Sequence, residues 1–276
     1  MARRIPFAKM AGSGNDFVVV DNRAGLLAEA ELAAFARRVC PRAGGQVGAD
    51  GVLLLEGDPG LDFAMRYWNS DGRPAEFCGN GARCIARFAL DLGLGTEGTV
   101  RFATAVGEKS ARRLPDGRIS LAFGRIGRAS EPITLEACGR SFTGRFVRAG
   151  VPHFITPVDD LARAPLAEWG AALRRHSHFG VEGANVDLVE PRGAGLAMRT
   201  FERGVEGETL ACGSGAMASA LWWAAEGTGS PVSVLTAGGD TLSVAFTVME
   251  DAWDVTLTGP AEVAFVGVWD GPAHSG

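Results

Sequence analysis

An internal duplication constrains the fold of this chain more than any other feature. The segment MRYWNSDGRPAEFCGNGA resembles MRTFERGVEGETLACGSGA further along the chain, and the match places Cys78 and Cys212 at equivalent positions 134 residues apart. Three further pairs of segments follow in the same order at offsets of 132 to 136 residues. A nearly constant offset indicates a repeated structural unit. We therefore predict two equivalent halves, residues 1–126 and 127–263, with a final strand at about 264–276 that returns to the first half.

Strands and helices are predicted in the same order in both halves. Helical spacing of apolar residues covers residues 28–40 and also follows Cys78 and Cys212. The two helices after the cysteines are so apolar that we expect them to be buried, wrapped by the strands of their own half. Five apolar runs of the first half are predicted to be strands: FVVVD, GVLLLE, DFAMRYW, VRFAT and RISLAF. Each half thus sends a strand into a glycine-rich turn and then into an apolar helix.

Composition and motifs exclude several classes of function. The net charge of −5 with scattered Lys and Arg argues against a nucleic-acid partner. No apolar run is long enough for a membrane span and no secretory signal is present, so we expect a cytoplasmic protein. Five cysteines without metal-ligand spacing are expected to be free thiols, and no metal is predicted. Neither of the two lysines, Lys9 and Lys109, suggests a pyridoxal phosphate site, and the GSGNDF segment precedes a strand rather than a helix; no cofactor is predicted.

The repeated Cys-Gly-x-Gly-Ala segment predicts chemistry at a helix start. Free N–H groups and the helix dipole converge there, so we expect a lowered thiol pKa and a site for a carboxylate. Two such units facing one carboxylate would place Cys78 and Cys212 on opposite sides of its α-carbon. One thiolate would remove the α-proton while the other thiol donates one. Cys40, Cys84 and Cys138 are interpreted as ordinary small residues without a role.

At this point the sequence resembles the diaminopimelate epimerase family over nearly its whole length. The shared motifs are K-M-x-G-x-G-N-D-F at 9–17, N-x-D-G-x-x-x-x-x-C-G-N-G-A-R-C at 69–84, G-x-P-H at 150–153 and E-R-G…E-T-x-A-C-G-x-G-A at 202–216. The resemblance implies an α/β (α+β) fold of two pseudo-symmetric domains, each with curved, mostly antiparallel strands around a central helix. The active site would lie in the cleft between them.

The resemblance also implies an activity and its residues. The family interconverts LL- and meso-diaminopimelate, on the path to lysine and peptidoglycan, with two cysteines and no cofactor. Cys78 and Cys212 match the catalytic pair, and His153 matches a histidine near the site. The matching substrate-binding positions are Asn15, Asn69, Gly79, Asn80, Asn185, Glu202, Arg203, Gly213 and Ser214. The expected partner is a small amino-acid substrate, and a homodimer is left open as the assembly.

Four departures from the family pattern leave the substrate open. Val151 stands where many members have Asn, at the position that corresponds to Asn15 in the other half, and Gly51 stands where some have Gln. Ser214 stands where Thr is common, and the segment after Arg203 is one residue longer than the shorter family form. A racemase of another amino acid, such as histidine, is therefore the nearest alternative. An isomerase of the same fold without a cysteine pair, a thiol-based redox or metal protein, and a non-catalytic amino-acid-binding module are the others.

Overall fold

A computed structural model describes residues 3–44 and 46–271, and the chain forms two compact units. The first unit comprises the described residues up to Leu121 and those from Pro260 onward. The second unit comprises Ala122–Gly259. The division predicted after residue 126 and the observed one fall within the same strand. The last residues of the predicted returning strand, 272–276, lie outside the described residues.

The first unit contains two helices and most of the strands of the N-terminal half. Its helices are α1 (Glu29–Val39) and α2 (Gly79–Asp91). Its strands are β1 (Arg3–Gly12), β2 (Asn15–Asp21), β3 (Gly51–Glu56), β4 (Phe63–Asn69), β5 (Pro74–Ala75), β6 (Thr99–Thr104), β7 (Gly107–Arg113) and, at the C-terminal end of the chain, β18 (Glu262–Gly271). The strand β8 (Ile119–Gly127) leads into the second unit. The predicted strands and the helix at 28–40 are confirmed.

The second unit repeats this order. Its helices are α3 (Leu166–Arg174) and α4 (Gly213–Ala225). Its strands are β9 (Ile133–Ala137), β10 (Arg140–Ala149), β11 (Val151–Pro157), β12 (Asn185–Arg192), β13 (Gly195–Glu202), β14 (Gly207–Thr209), β15 (Val232–Leu235), β16 (Thr241–Val248) and β17 (Ala252–Gly259). The two helices that follow Cys78 and Cys212, α2 and α4, have the same length.

Strand pairing is equivalent in the two units. In the first, β18, β1, β2, β3, β4, β6 and β7 pair in that order, with β2–β3 and β4–β6 parallel and the other pairs antiparallel. In the second, β9, β10, β11, β12, β13, β15, β16 and β17 pair in that order, with β11–β12 and β13–β15 parallel. The strand β18 thus takes in the first unit the place that β9 takes in the second. The predicted fold of two repeated units with mostly antiparallel strands is confirmed.

Each central helix is buried by strands of its own unit. The helix α4 is apolar all round, and its residues from Gly215 to Trp222 are all buried. It packs in one core with residues of the surrounding strands such as Val147, Ile155, Val234 and Leu257. A helix without a polar face is stable only where it is covered on all sides, which explains the wrapped strands. Among residues 3–44 and 46–271, none of the helices has the length and apolar character needed to cross a bilayer.

Strand alternation decides which residues reach the central helix. Successive side chains of a strand point to opposite faces. In β2, Phe17 and Val19 pack in the core around α2, whereas Val18 and Val20 pack in the core around α1. The second unit divides in the same way, because Phe154 packs in the core around α3 and Ile155 in the core around α4. Odd-numbered positions of β11 and β12 therefore face the start of α4.

Strand register gives the equivalent positions in the two units. Phe17 pairs with Gly51 in the first unit, as His153 pairs with Asn185 in the second. Leu53 pairs with Tyr67, as Asp187 pairs with Thr200. Phe17, Leu53 and Tyr67 of the first unit, of which only Tyr67 has a polar group, are thus replaced by the polar set His153, Asp187 and Thr200 in the second.

Candidate functional site

Cys78 immediately precedes α2 and caps its start. The cysteine backbone is extended, with φ −141° and ψ 119°, and Gly79 and Asn80 form the first helical turn. The Cys78 side chain is half-buried. The first N–H groups of a helix have no partner within the helix, and they bring the positive end of the helix dipole to this residue. The predicted placement of a thiol at a helix start is confirmed.

Two of the predicted binding residues of the first unit are in contact. Asn80 Nδ2 donates a hydrogen bond of 2.8 Å to Asn15 Oδ1, and Asn15 Nδ2 donates one of 2.9 Å to Asp50 Oδ2. Asn69 ends β4 directly opposite Gly51, which begins β3. Asn15 begins β2, which runs parallel to β3. Asn15, Gly51 and Asn69 therefore lie at the same end of their neighbouring strands.

An ion-pair network includes Asp50, the residue that accepts a hydrogen bond from Asn15. Lys9 is buried, and its Nζ lies 2.8 Å from an Asp16 carboxylate oxygen. The Arg42 guanidinium bridges two carboxylates, at 2.7 Å from Asp16 and 2.6 Å from Asp50. Burial raises the pKa of Asp16, but hydrogen bonds from Arg42 and Lys9 outweigh this and lower the pKa to about 2. Asp50, which accepts from Asn15, is therefore held by the same network.

Asp16→Asn is expected to lower the free energy of unfolding by about 2 kcal/mol at pH 7. The Asp16 pKa lies below its ordinary value of 3.8 in the folded state, so its contribution is complete above pH 3.8 and is lost as the pH falls toward about 2. Urea unfolding of both proteins at pH 7 and at pH 3 measures the difference, which should shrink at the lower pH. Asp116→Asn is the control, because it removes an exposed pair with Arg118 and should leave the midpoint unchanged. A difference that persists at low pH would contradict the ion-pair explanation.

Cys212 occupies the N-cap position of α4, as Cys78 occupies that of α2. Its backbone is extended, with φ −126° and ψ 110°, and Gly213 and Ser214 form the first turn. Its sulfur accepts a hydrogen bond of 3.4 Å from the Gly215 N–H and lies 3.3 Å from Ser214 Oγ.

The prediction of a lowered thiol pKa is wrong for Cys212. This side chain is only 6% exposed, and burial raises its pKa well above the ordinary value. The nearby carboxylates of Glu202 and Asp187 raise it further, whereas the contacts with Ser214 and Gly215 lower it. The loss of hydration outweighs the helix start, because a thiolate is strongly hydrated in water. We therefore expect Cys212 to be a protonated thiol at neutral pH.

A chain of polar contacts leads from Cys212 into the core of its unit. Ser214 contacts Cys212 and, on its other side, His153. The His153 Nε2 atom lies 3.0 Å from Ser214 Oγ. Asn185 Nδ2 lies 3.2 Å from the same nitrogen. On the other side of the ring, His153 Nδ1 lies 2.7 Å from Asp187 Oδ2, and both side chains are fully buried. The structure thus brings together four of the predicted residues of this unit: Cys212, Ser214, His153 and Asn185.

Glu202 and Arg203 lie at the end of β13. Burial raises the pKa of Glu202 above its ordinary value. The Arg203 backbone N–H donates a 2.7 Å hydrogen bond to Asn185 Oδ1, while its guanidinium lies 3.2 Å from a carboxylate oxygen of Glu182. Glu182 also pairs with Arg148 at 2.8 Å. The guanidinium predicted to bind a substrate carboxylate is therefore paired with a side-chain carboxylate.

Three residues near the predicted site were missed by the sequence analysis. Asp187, Asp50 and Glu182 contact His153, Asn15 and Arg203, respectively. A signal existed only for Asp187, because a carboxylate in the otherwise apolar strand segment NVDLV requires a buried partner. The other two partners are set by loop contacts that no local pattern encodes.

The remaining cysteines lie in the core or at the ends of secondary-structure elements. Cys84 is fully buried in α2, and burial raises its pKa to about 12. Cys40 caps the end of α1, and burial likewise raises its pKa to about 12. Cys138 is exposed in the turn after β9. Within the described ranges, no group of three or more His, Cys, Asp or Glu side chains is arranged to hold a metal ion.

Solved structures of other proteins share the fold of this chain. A PhzF-family phenazine biosynthesis protein from Enterococcus faecalis superposes with a TM-score of 0.73 at 18% identity, covering 98% of this chain and 99% of the other. A hydroxyproline epimerase from Agrobacterium vitis superposes with a TM-score of 0.69 at 18% identity, covering 98% and 94%. The chain therefore has the two-unit fold found in epimerases and racemases.

Sequence relatives narrow the class to one family. The diaminopimelate epimerase family model matches residues 7–125 and 145–263, one segment in each half. The diaminopimelate epimerase of Aquifex aeolicus is 40% identical over 95% of this chain and 96% of its own length. That of Archaeoglobus fulgidus is 39% identical over 96% of each. The chain belongs to the diaminopimelate epimerase family and is an isomerase.

Proposed function

We propose that this protein interconverts LL- and meso-diaminopimelate by proton transfer at the α-carbon, with Cys78 and Cys212 as the acid and base. The observation that carries the proposal is the equivalence of the two thiols. Each lies at the N-cap of the central helix of its unit, at matching positions of a duplicated chain that belongs to this family. The reaction would supply an intermediate for lysine and peptidoglycan synthesis.

The proposed binding groups suit an amino acid. The N–H groups at the starts of α2 and α4, with Gly79 and Gly213 at the first positions, are suited to the reacting carboxylate. Asn15, Asn69, Asn80, Asn185 and Ser214 add neutral donors and acceptors. Arg203 is proposed to bind a carboxylate of the substrate in exchange for Glu182, and Glu202 to accept from an ammonium group.

The burial of Cys212 supports a role for this thiol in the first turnover. Since burial keeps this thiol protonated, Cys212 is proposed to act as the acid of the first turnover, and Cys78 as the base. Cys78 would take the α-proton as the C–H electron pair moves toward the carboxylate, and Cys212 would donate its proton to the opposite face. The reaction leaves Cys78 protonated and Cys212 as thiolate, which is the state required for the reverse direction.

A racemase of another amino acid is the second candidate, and Val151 is the observation that favours it. Strand register places Val151 at the position equivalent to Asn15, so one amide contact of the first unit has no counterpart in the second. A substrate with a different distal group would need a different set of polar contacts. The two candidates share the acid–base chemistry and differ only in the substrate.

Proton NMR in D2O tests the proposal. LL-diaminopimelate, L-histidine and L-lysine are each incubated with reduced protein, and the loss of the α-proton signal is followed. We expect loss with diaminopimelate, accompanied by appearance of the meso isomer. Exchange with histidine or lysine alone would replace the proposed substrate and retain the chemistry. Binding of diaminopimelate without exchange would overturn the proposed reaction in favour of a binding module.

A further inference from the structure

A buried polar chain lies beneath Cys212. His153 and Asp187 have fully buried side chains and meet at 2.7 Å. Thr200 is 1% exposed and donates a 2.6 Å hydrogen bond to the second oxygen of the Asp187 carboxylate. Removing three polar side chains from water is costly unless each has a partner, and here the groups satisfy one another. The cost of this arrangement points to a role beyond filling the core.

The partners of His153 define which of its nitrogens carries the proton. A carboxylate only accepts hydrogen bonds, so Nδ1, which faces Asp187, carries a hydrogen. Asn185 Oδ1 accepts from the Arg203 N–H, which turns the Asn185 amide so that its Nδ2 donates toward His153 Nε2. Nε2 must therefore be unprotonated, because its lone pair accepts the hydrogen bond from Asn185. These contacts favour the tautomer of His153 with its proton on Nδ1, in which the unprotonated Nε2 lies 3.0 Å from Ser214 Oγ.

The equivalent strand positions of the first unit carry Phe17, Leu53 and Tyr67, so they form no histidine–carboxylate pair. Phe17 and Leu53 are fully buried there, and Phe17 packs edge-to-face against Tyr67 at 5.9 Å. Two glycines confirm the equivalence of these surroundings. A Cβ on Gly81 of α2 would meet Leu53 and Phe17, and one on Gly215 of α4 would meet Asp187, Met198 and Thr200. Phe17 and Leu53 carry no group that can relay a proton, whereas the His153–Asp187 pair does.

We propose that Asp187, oriented by Thr200, is a positioning residue that holds His153 with its bare Nε2 toward Ser214, and that this creates a proton route to Cys212. Along this route the Cys212 S–H proton passes to Ser214 Oγ while the Ser214 O–H proton passes to His153 Nε2. The products are a Cys212 thiolate and an imidazolium next to the Asp187 carboxylate. The route lets Cys212 exchange its proton without the substrate, and its catalytic importance rests on the proposed function.

Site-resolved alkylation tests the route independently of any substrate. Reduced protein is treated with iodoacetamide, and mass spectrometry follows modification of Cys212 and, as an internal reference, of Cys78. In Asp187→Asn, Thr200 still donates to the side-chain oxygen, so the amide N–H₂ faces His153 Nδ1 and moves the ring proton to Nε2. We expect alkylation of Cys212 to slow by about tenfold and that of Cys78 to stay unchanged. The ring ¹⁵N chemical shifts of His153 should report the change of tautomer.

Thr200 and a matched threonine complete the test. Thr200→Val should slow alkylation of Cys212 by a smaller factor than Asp187→Asn, and Thr200→Ser should restore it because the hydroxyl is retained. Thr156→Val is the control, since Thr156 is equally buried in this unit but donates to the Thr143 carbonyl. Equal slowing at Cys78 and Cys212, or an unchanged His153 tautomer in Asp187→Asn, would overturn the proposal. Failure to epimerise diaminopimelate with these alkylation results intact would count against the proposed substrate only.

Discussion

Cys78→Ala and Cys212→Ala are each expected to reduce interconversion of LL- and meso-diaminopimelate by at least about 1000-fold. A two-thiol reaction needs an acid on one face of the α-carbon and a base on the other, so either thiol alone cannot invert the centre. The remaining thiol can still remove and return a proton on its own face. Each variant should therefore retain slow α-deuterium exchange in one stereoisomer without inversion, and the two variants should retain it in opposite isomers.

Proton NMR with the separate isomers in D2O measures both effects. Cys138→Ala is the matched control, because this cysteine is exposed in the turn after β9 and is the N-cap of neither central helix. It should leave both rates unchanged. Inversion at near wild-type rate in either variant would exclude the two-thiol mechanism. Exchange of the same isomer in both variants would show that the thiols do not serve opposite faces.

Gly215→Ala is expected to lower the free energy of unfolding by about 2–3 kcal/mol. Within a helix, Ala is normally favoured over Gly by up to about 1 kcal/mol, so the sign of the effect is informative. A Cβ at this position would lie 2.6 Å from Asp187 Oδ1, 3.0 Å from Met198 Cε and 3.2 Å from Thr200 Oγ1. Asp187 is held by His153 and Thr200, so it cannot move away without breaking one of those hydrogen bonds.

Gly81→Ala is the matched comparison at the equivalent position of α2. Its Cβ would lie 3.2 Å from the end of the Leu53 side chain and 3.4 Å from Phe17, contacts that a rotation of leucine can relieve. Thermal or urea unfolding should therefore show a much smaller loss, within about 1 kcal/mol of wild type. Equal losses for the two variants would contradict the explanation that the hydrogen bonds of Asp187 prevent it from moving away from a Cβ at residue 215.

Most of the fold prediction rested on the internal duplication. Equivalent segments at a constant offset predicted two equivalent units, and apolar periodicity predicted the helices after Cys78 and Cys212 as well as α1. These features are local, because a turn of helix or a strand is specified by residues a few positions apart. The wrapping of strands around α4 also followed from one local property, the absence of a polar face on this helix.

The residues that support the thiols could be predicted only in part. The family resemblance identified His153 and Asn185, but their contact with each other depends on strand register, which pairs residues 32 positions apart. Asp187 was missed because it belongs to none of the shared motifs, and strand register makes it equivalent to Leu53, an ordinary core residue. Its proximity to α4 is evident only from the structure, in which the alternation of β12 points the Asp187 side chain toward that helix.

By itself, the sequence determined the repeat, the identity of the family, and the placement of one thiol before each central helix. Only the tertiary structure decided how unlike the two thiol surroundings are. Burial and the nearby carboxylates raise the pKa of Cys212, against the expectation from its helix start. Burial and the distance between charges are properties of the packed chain, whereas motifs and periodicity belong to the order of residues along it.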